Sequence, residues 1–327
     1  MAKVVHSIPR ALTLAAIASA LIIGVTGCSS SGSSGSGSDG GGSDTGDGPK
    51  KMGVTVSNST NPFFVMESRT AEQAGKDAGL EVLSQEAGED VQEQSNQIDQ
   101  FITSQVDFIV IDPVDSDGVG PAVKRAVSAG IPVVGIDSVT KNANVSVTTN
   151  NTQAGEVSCK SLAEQLGGKG EIAILDGTPI SAVADRVTGC KKTLEEYPDI
   201  KIVAEQRGDN SRDKALPVAT DILTANPDID GVFAINDPTA AGVELAAKQK
   251  GVKIIITSVD GAKSAVDSIL NGGMITATAA QDPAALAAQG VEIGISLAKG
   301  EKADKDLIEL PTELIDASNA ADYEPWG

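Results

Sequence analysis

From residue 50 onward, short apolar runs alternate with longer amphipathic ones almost without interruption. The short runs read as strands at 52–57, 81–85, 107–111, 132–136, 145–149, 171–175, 200–205, 231–235, 252–257 and 275–280. The longer stretches between them carry helical periodicity, at 64–78, 91–104, 117–129, 153–166, 182–196, 213–225, 239–249, 262–271 and 283–299. Several strands are apolar throughout, among them Phe108 to Ile111 and Ile254 to Ile256. Unbroken apolar strands are expected where helices cover both faces of a sheet, because neither face meets water. Strict strand–helix alternation therefore predicts an α/β chain with parallel sheets. Ten strands suit two sheets of five or six, hence two lobes.

An internal echo supports that division. Residues 107–138 and 230–261 share one layout: strand, Asx-Pro turn, alanine-rich helix, glycine, strand, then aspartate. Polar strand ends therefore recur, as Asp112 and Asp137 in the first half and Asn236, Asp237 and Asp260 in the second. The stretch Met52 to Phe64 has the same logic: a buried strand ends in Ser57 to Asn61, and Pro62 opens a helix bearing Phe63 and Phe64. A single Asx at a strand end is commonly a helix cap. Several, matched in two halves, point instead to one ligand cleft beyond the carboxyl ends of the strands.

Collected, the strand-end set is Ser57, Asn61, Asp112, Asp137, Asn236, Asp260 and Gln281, with Arg186 early in the helix after strand 171–175. Carboxylates accept from neighbouring hydroxyls, arginine donates as a fork, and amides do either. That mixture suits a neutral polyhydroxylated ligand, with Phe63 and Phe64 offering an apolar face to a ring. Arg186 has a second reading, as an ion-pair partner of Asp185 or Glu195.

Charge and leader narrow the setting. The formal charge is −20. Residues 1–27 contain Lys3 and Arg10 and no acid, so without them 23 basic residues face 45 acidic ones. Such a surface repels nucleic acid and anionic headgroups. Residues 1–27 read as a secretory signal, with its two cations ahead of the apolar stretch Ala11 to Val25. Val25-Thr-Gly-Cys28 resembles the bacterial lipobox, which implies lipidation of Cys28 and an extracytoplasmic, membrane-tethered protein. Residues 28–50, rich in Ser and Gly, read as a flexible linker. Cys159 and Cys190 remain, on successive predicted helices either side of strand 171–175. In an oxidising compartment they are a disulfide candidate, and two buried thiols are the alternative.

Catalytic signatures are weak. The single histidine, His6, lies in the leader, which removes triads, histidine bases and most metal sites from the rest of the chain. No Walker-type loop or complete dinucleotide fingerprint is present, so no cofactor is expected. Asp112, Asp115 and Asp117 lack the spacing of a calcium loop and read as acids favoured at a helix N-terminus. No metal is expected.

The chain resembles the ribose-binding-protein group of periplasmic sugar-binding proteins over about residues 50–310. The motifs that carry the likeness are Val56-Ser-Asn-Ser-Thr-Asn-Pro-Phe-Phe-Val65, Ile111-Asp-Pro-Val-Asp-Ser-Asp-Gly-Val119, Phe233-Ala-Ile-Asn-Asp237, Val259-Asp-Gly261 and Ala277-Thr-Ala-Ala-Gln281. The resemblance implies two doubly wound parallel-sheet lobes joined by a hinge that the chain crosses three times. One lobe would take residues 51–149 plus 282–310, the other 150–281 plus 311–327. By position, Asn61, Asp137, Arg186, Asn236, Asp260 and Gln281 would bond sugar hydroxyls, with Phe63 and Phe64 against the ring. Where ribose binders carry Asn and Arg this chain has Asp112 and Ser138, and second-lobe aromatics give way to Asn210 and Val259. A pentose, hexose or linear polyol other than ribose is expected. The implied protein is a monomeric lipoprotein receptor, not an enzyme, that hands a sugar or polyol to the permease of an ABC importer. A sensory lipoprotein presenting its ligand to a membrane receptor would share every contact.

Overall fold

The computed structural model describes residues 48–327. The signal, Cys28 and nearly all of the linker lie outside the described residues. Within them no helix is long and apolar enough to cross a membrane.

Two six-stranded sheets organise the described residues. The first contains β1 (Lys51–Val56), β2 (Glu81–Glu86), β3 (Phe108–Ile111), β4 (Val133–Asp137), β5 (Val145–Thr149) and β11 (Leu307–Leu310), in the order β11-β5-β4-β3-β1-β2. The second contains β6 (Lys169–Asp176), β7 (Asp199–Arg207), β8 (Gly231–Ala234), β9 (Ile255–Asp260), β10 (Ile275–Ala280) and β12 (Glu313–Asp316), in the order β12-β10-β9-β8-β6-β7. All pairings are parallel except β10 with β12. In each sheet the winding reverses beside its first strand, between β1 and β3 and between β6 and β8. These reversals are the switch points at which open α/β sheets form crevices.

Alternation along the strands decides which helix each side chain meets. From β1 and β3, Val54 and Val110 pack with α1 (Pro62–Asp77) and α9 (Pro283–Ala298). Ile109 and Ile111 point the other way, to α2 (Val91–Thr103) and α3 (Gly120–Ser128). The second sheet repeats the plan. Ile172 and Ile174 meet α4 (Asn151–Gln165) and α5 (Ser181–Leu194), while Ala173 and Leu175 meet α6 (Arg212–Ala225) and α7 (Asp237–Lys250). The short α8 (Lys263–Leu270) packs with Ile315 of β12.

The chain passes between the sheets three times: from β5 into α4, from β10 into α9, and from β11 to β12. Each of the last two strands is an edge strand, and the sequence reading omits both. Leu307–Leu310 and Glu313–Asp316 are too short and too exposed to give a buried-strand signature. The strand expected at 252–257 sits at Ile255–Asp260, because Val252 instead bonds back to Ala247 at the end of α7. The helix expected at 117–129 begins at Gly120. Asp115 and Asp117 therefore do not sit in its first turn. Asp115 Oδ1 accepts from the backbone N–H groups of Asp117 and Gly118, closing a turn ahead of the helix.

Helices α4 and α5 touch backbone to backbone. A Cβ on Gly155 would stand 2.0 Å from the carbonyl oxygen of Arg186, and one on Gly189 would stand 2.1 Å from that of Thr152. Only glycine permits this approach. Cys159, one turn past Gly155, and Cys190, directly after Gly189, are joined in a disulfide with a Cα–Cα separation of 5.0 Å. The bridge closes a loop of 31 residues, which in the chain-entropy model contributes about 3–4 kcal/mol. Cys159→Ser combined with Cys190→Ser should lower the unfolding free energy by about that amount in chemical denaturation. Equal stability of the double variant and the oxidised parent would show that the bridge is not formed in solution.

Candidate functional site

Local sequence rules put polar side chains at the carboxyl ends of the strands. At the end of β1, Asn58 Oδ1 accepts from the N–H groups of Thr60 and Asn61, and Asn61 Oδ1 caps α1 at Phe63 N. Pro62 then opens the helix at a position with no N–H to lose. At the end of β3, the backbone N–H of Ser57 donates to Asp112 Oδ2 at 3.1 Å. Gln94 braces that corner by donating to the Asp112 carbonyl and accepting from Val114 N. On the second sheet Asn236 Oδ1 caps α7 at Thr239 N. Asn61 and Asn236 thus cap their helices through Oδ1 and keep Nδ2 for a second bond.

The two sets of strand ends meet. Asn61 Nδ2 donates to the carbonyl of Asn210 at 3.3 Å, and Asn236 Nδ2 donates to the same oxygen at 3.4 Å. Further along the seam, Ser116 N donates to Pro179 O, Ser181 N to Ser116 Oγ, and Val139 N to Ser181 Oγ. Lys214 pairs with Glu89 across the opposite side. Open hollows of about 780 Å³ and 700 Å³ flank the seam, and neither is lined by Asp112, Asp137 or Asp260. The lobes are closed on one another, and the strand-end side chains are sealed between them.

Arg186 is 4% exposed and lies at the centre. Its Nε donates to Asn151 Oδ1 at 2.7 Å and its Nη1 to the Ile235 carbonyl at 3.0 Å, with Asp260 Oδ1 3.9 Å from Nη1. The carboxylate within ion-pair distance is thus that of Asp260, while Asp185 feels the guanidinium only as a neighbouring charge. Gln281 Nε2 donates to Asp260 Oδ1 at 2.9 Å. Ser138 Oγ donates to Asp137 Oδ2 at 3.3 Å. Phe63 and Phe64 stand edge to face with centroids 6.0 Å apart. Val259, by contrast, belongs to the core that faces α4 and α5.

The backbone at these strand ends is unusual. Asp137 has φ 61°, Asn210 has φ 55° and Asp260 has φ 141°. L-residues seldom adopt such values, and they persist where surrounding structure over-determines them. Electrostatics are equally demanding. Burial pushes the carboxyl of Asp112 well above the ordinary range, and Asp137 pushes it further. Burial, then Asp237, does the same to Asp260, with Arg186 opposing. Asp137 is raised by burial and partly relieved by Arg186. Oδ1 of Asp112, Oδ1 of Asp137 and Oε1 of Gln281 have no hydrogen-bond partner in the described protein.

Three further side chains at the seam, Asn151, Glu67 and Trp326, are not foreseen from the sequence, and Asp237, foreseen only as a polar strand end, joins them. Asp237 stands beside Asp260 and accepts from the hydroxyls of Ser258 and Thr278 and from Ala262 N. Burial still lifts its carboxyl to about 6. Its place in the repeated Asn-Asp pair after β8 is the signal for it. Asn151, which orients Arg186, falls between the strand expected at 145–149 and the helix expected at 153–166, and in the structure opens α4. Glu67 lies on the buried face of α1 with Phe63, Phe64 and Ala71. An acid on an otherwise apolar helical stripe is its signal. Trp326 packs edge to face on Phe63 at 5.5 Å and donates from Nε1 to the carbonyls of Asp260 and Gln281. The second aromatic near Phe63 therefore comes from the tail, and only its being the sole tryptophan singles it out.

Residues 52–302 match the periplasmic binding protein domain. The chain is 32% identical to the ribose import binding protein of Bacillus subtilis, over 80% of this chain and 86% of that protein. It is 31% identical to a xylitol-binding protein of Mycolicibacterium smegmatis, over 79% and 74% respectively. Among solved structures, an ABC transporter solute-binding protein of Bacillus halodurans with bound myo-inositol superposes with a TM-score of 0.80 at 27% identity, covering 86% of this chain and 99% of that one. These relatives are binding proteins rather than enzymes. With that likeness across both lobes and the same two-sheet architecture, the chain belongs to the periplasmic binding protein family that includes the ribose import binding proteins.

Proposed function

We propose that this protein captures a small neutral sugar or polyol between its lobes, outside the cytoplasmic membrane, and delivers it to an ABC importer. One observation carries the reading: buried acceptor oxygens from both sheets converge on the seam without partners in the protein. A ligand rich in hydroxyl donors satisfies them, whereas a phosphorylated one would meet several carboxyl groups and a single guanidinium. Relatives that bind ribose, xylitol or myo-inositol support that class. In this reading Ser57, Asn61, Asp112, Asp137, Ser138, Arg186, Asn210, Asn236, Asp260 and Gln281 hold the hydroxyls, and Phe63 and Phe64 bound the apolar face. The lobes are residues 51–149 plus 282–310 and residues 150–281 plus 311–327. Closure is the mechanism: ligand contacts from both lobes favour the closed form, and the importer's permease recognises it. A lipid on Cys28 and the linker through residue 50 tether the monomer to the membrane.

A thermal-shift screen of pentoses, hexoses and polyols identifies the ligand. Asp137→Asn and Asp260→Asn, which keep a side chain tolerant of the local backbone, should each weaken the best hit about ten- to a hundredfold. Asp115→Ala, whose side chain bonds only within its own turn, should not. Wild-type affinity in both strand-end variants would refute a shared cleft.

Raised carboxyl groups favour their protonated forms, so the closed ligand-free form is most stable below the ordinary carboxylate range. It weakens as pH rises through the raised values of Asp112, Asp137 and Asp260, the last of which feels Asp137 from the other lobe. Small-angle scattering should therefore give a larger radius of gyration for ligand-free protein at pH 8 than at pH 5. An identical radius at both would count against this coupling.

Cys28→Ser should release the protein from membranes with its ligand affinity intact. Retention at the membrane with unchanged processing would remove the lipid anchor from the proposal.

A further inference from the structure

Glu67 is fully buried, one helical turn beyond Phe63 on the same face of α1. Neither of its carboxyl oxygens has a hydrogen-bond partner in the described protein. The charged groups it faces are Asp112 and Asp137 from its own sheet and Asp260 from the other. Helix α9, packed along α1, buries only Pro283, Leu286, Ala287, Gly290, Val291 and Gly294. Arg186, the cation of the cluster, is committed to Asn151, the Ile235 carbonyl and the vicinity of Asp260. Burial, followed by the three aspartates, drives the Glu67 carboxyl well above the ordinary range.

A structural role accounts poorly for this side chain. It caps no helix, pairs with no cation and bonds to no neighbour. A leucine would fill similar space without the desolvation cost of an acid. Its two oxygens join Asp112 Oδ1, Asp137 Oδ1 and Gln281 Oε1 as unpartnered buried acceptors. Phe63, one turn before it on the same face, packs on Trp326, whose Nε1 donates to the carbonyls of Asp260 and Gln281, so this face of α1 borders the seam.

We propose that Glu67 is a ligand contact and a specificity determinant, meeting with Asp112 and Asp137 an edge of the ligand that carries only hydrogen-bond donors. This rests on the receptor reading above. Hydroxyls of a neutral polyol and the ammonium of an amino-deoxy sugar are both such donors. The first leaves the carboxyl cluster to take up a proton on closure, whereas the second neutralises it directly.

The test uses the full mature chain and a panel of pentoses, hexoses and linear polyols with their amino-deoxy counterparts. Calorimetry on the tightest binder, in two buffers of different ionisation heat, counts protons. Glu67→Gln should weaken that binder at least tenfold and reorder the panel, while the ligand-free melting temperature holds or rises. A purely structural Glu67 would lower the melting temperature and leave the ranking unchanged, and that result overturns the proposal. If Glu67→Gln does not fold, the parent protein decides. Proton uptake with a neutral binder assigns hydroxyls, and a tenfold preference for an amino-deoxy compound over its neutral counterpart assigns an ammonium; either supports the proposal. A neutral binder taken up without protons and preferred over its amine overturns it while the receptor reading stands. If nothing in the panel binds, the receptor reading fails and this inference falls with it.

Discussion

Several acids and one guanidinium share a seam from which water is excluded, and the rest of the protein is arranged around that burden. Removing a carboxylate from water costs several kcal/mol unless hydrogen bonds or an opposite charge replace the lost solvation. Arg186 supplies the opposite charge, and it does so from a fixed position. Asn151 at the start of α4 holds its Nε, and the carbonyl after β8 holds its Nη1. The helices that carry Asn151 and Arg186 cannot slide, because Gly155 and Gly189 let their backbones interlock and the Cys159–Cys190 bridge joins them. One cation still leaves acceptors over. That imbalance gives the closed arrangement a reason to need a third party, since a donor-rich molecule between the lobes supplies the missing bonds.

The strand ends turn this electrostatic demand into geometry. Parallel strands deliver their last residues to one edge of each sheet, and the winding reversals between β1 and β3 and between β6 and β8 open the gaps there. Asp137, Asn210 and Asp260 hold backbone angles that a free chain avoids. Their neighbours fix them: Asp260 Oδ1 by Gln281, its carbonyl by Trp326, and Asn210 by two amides that donate to one carbonyl oxygen. Side chains so held lose little freedom when they engage a partner, which favours affinity.

Most of the architecture is legible from periodicity, because a strand covered on both faces must be apolar throughout and a covering helix must carry a stripe. The repeated Asx-Pro turns mark where each strand ends, so the strand-end residues can be read with them. Legibility fails where no period exists. Four-residue edge strands with few buried side chains leave no signature. Trp326 reaches Phe63 through tertiary folding alone, and nothing adjacent to it in sequence foretells that contact. Glu67 differs: it breaks a stripe that is otherwise consistent, and such a break is visible before any coordinates. The strand at Ile255–Asp260 is displaced from its expected place because pairing with β8 and β10, rather than local apolarity, sets its register.

The tail strands have a consequence for how the molecule is made. Both sheets take their sixth member from one stretch of ten residues, β11 for the first and β12 for the second. Synthesis runs from the amino end, so every strand of the first sheet but one is available long before its edge can be finished. Until residues 307–316 join them, β5 and β10 each lack a neighbour on one side. An unpaired ladder of backbone donors and acceptors invites association with other chains. The two halves of the nascent protein therefore share a single late step, and a chain stopped short of it carries two adhesive edges instead of none at those positions.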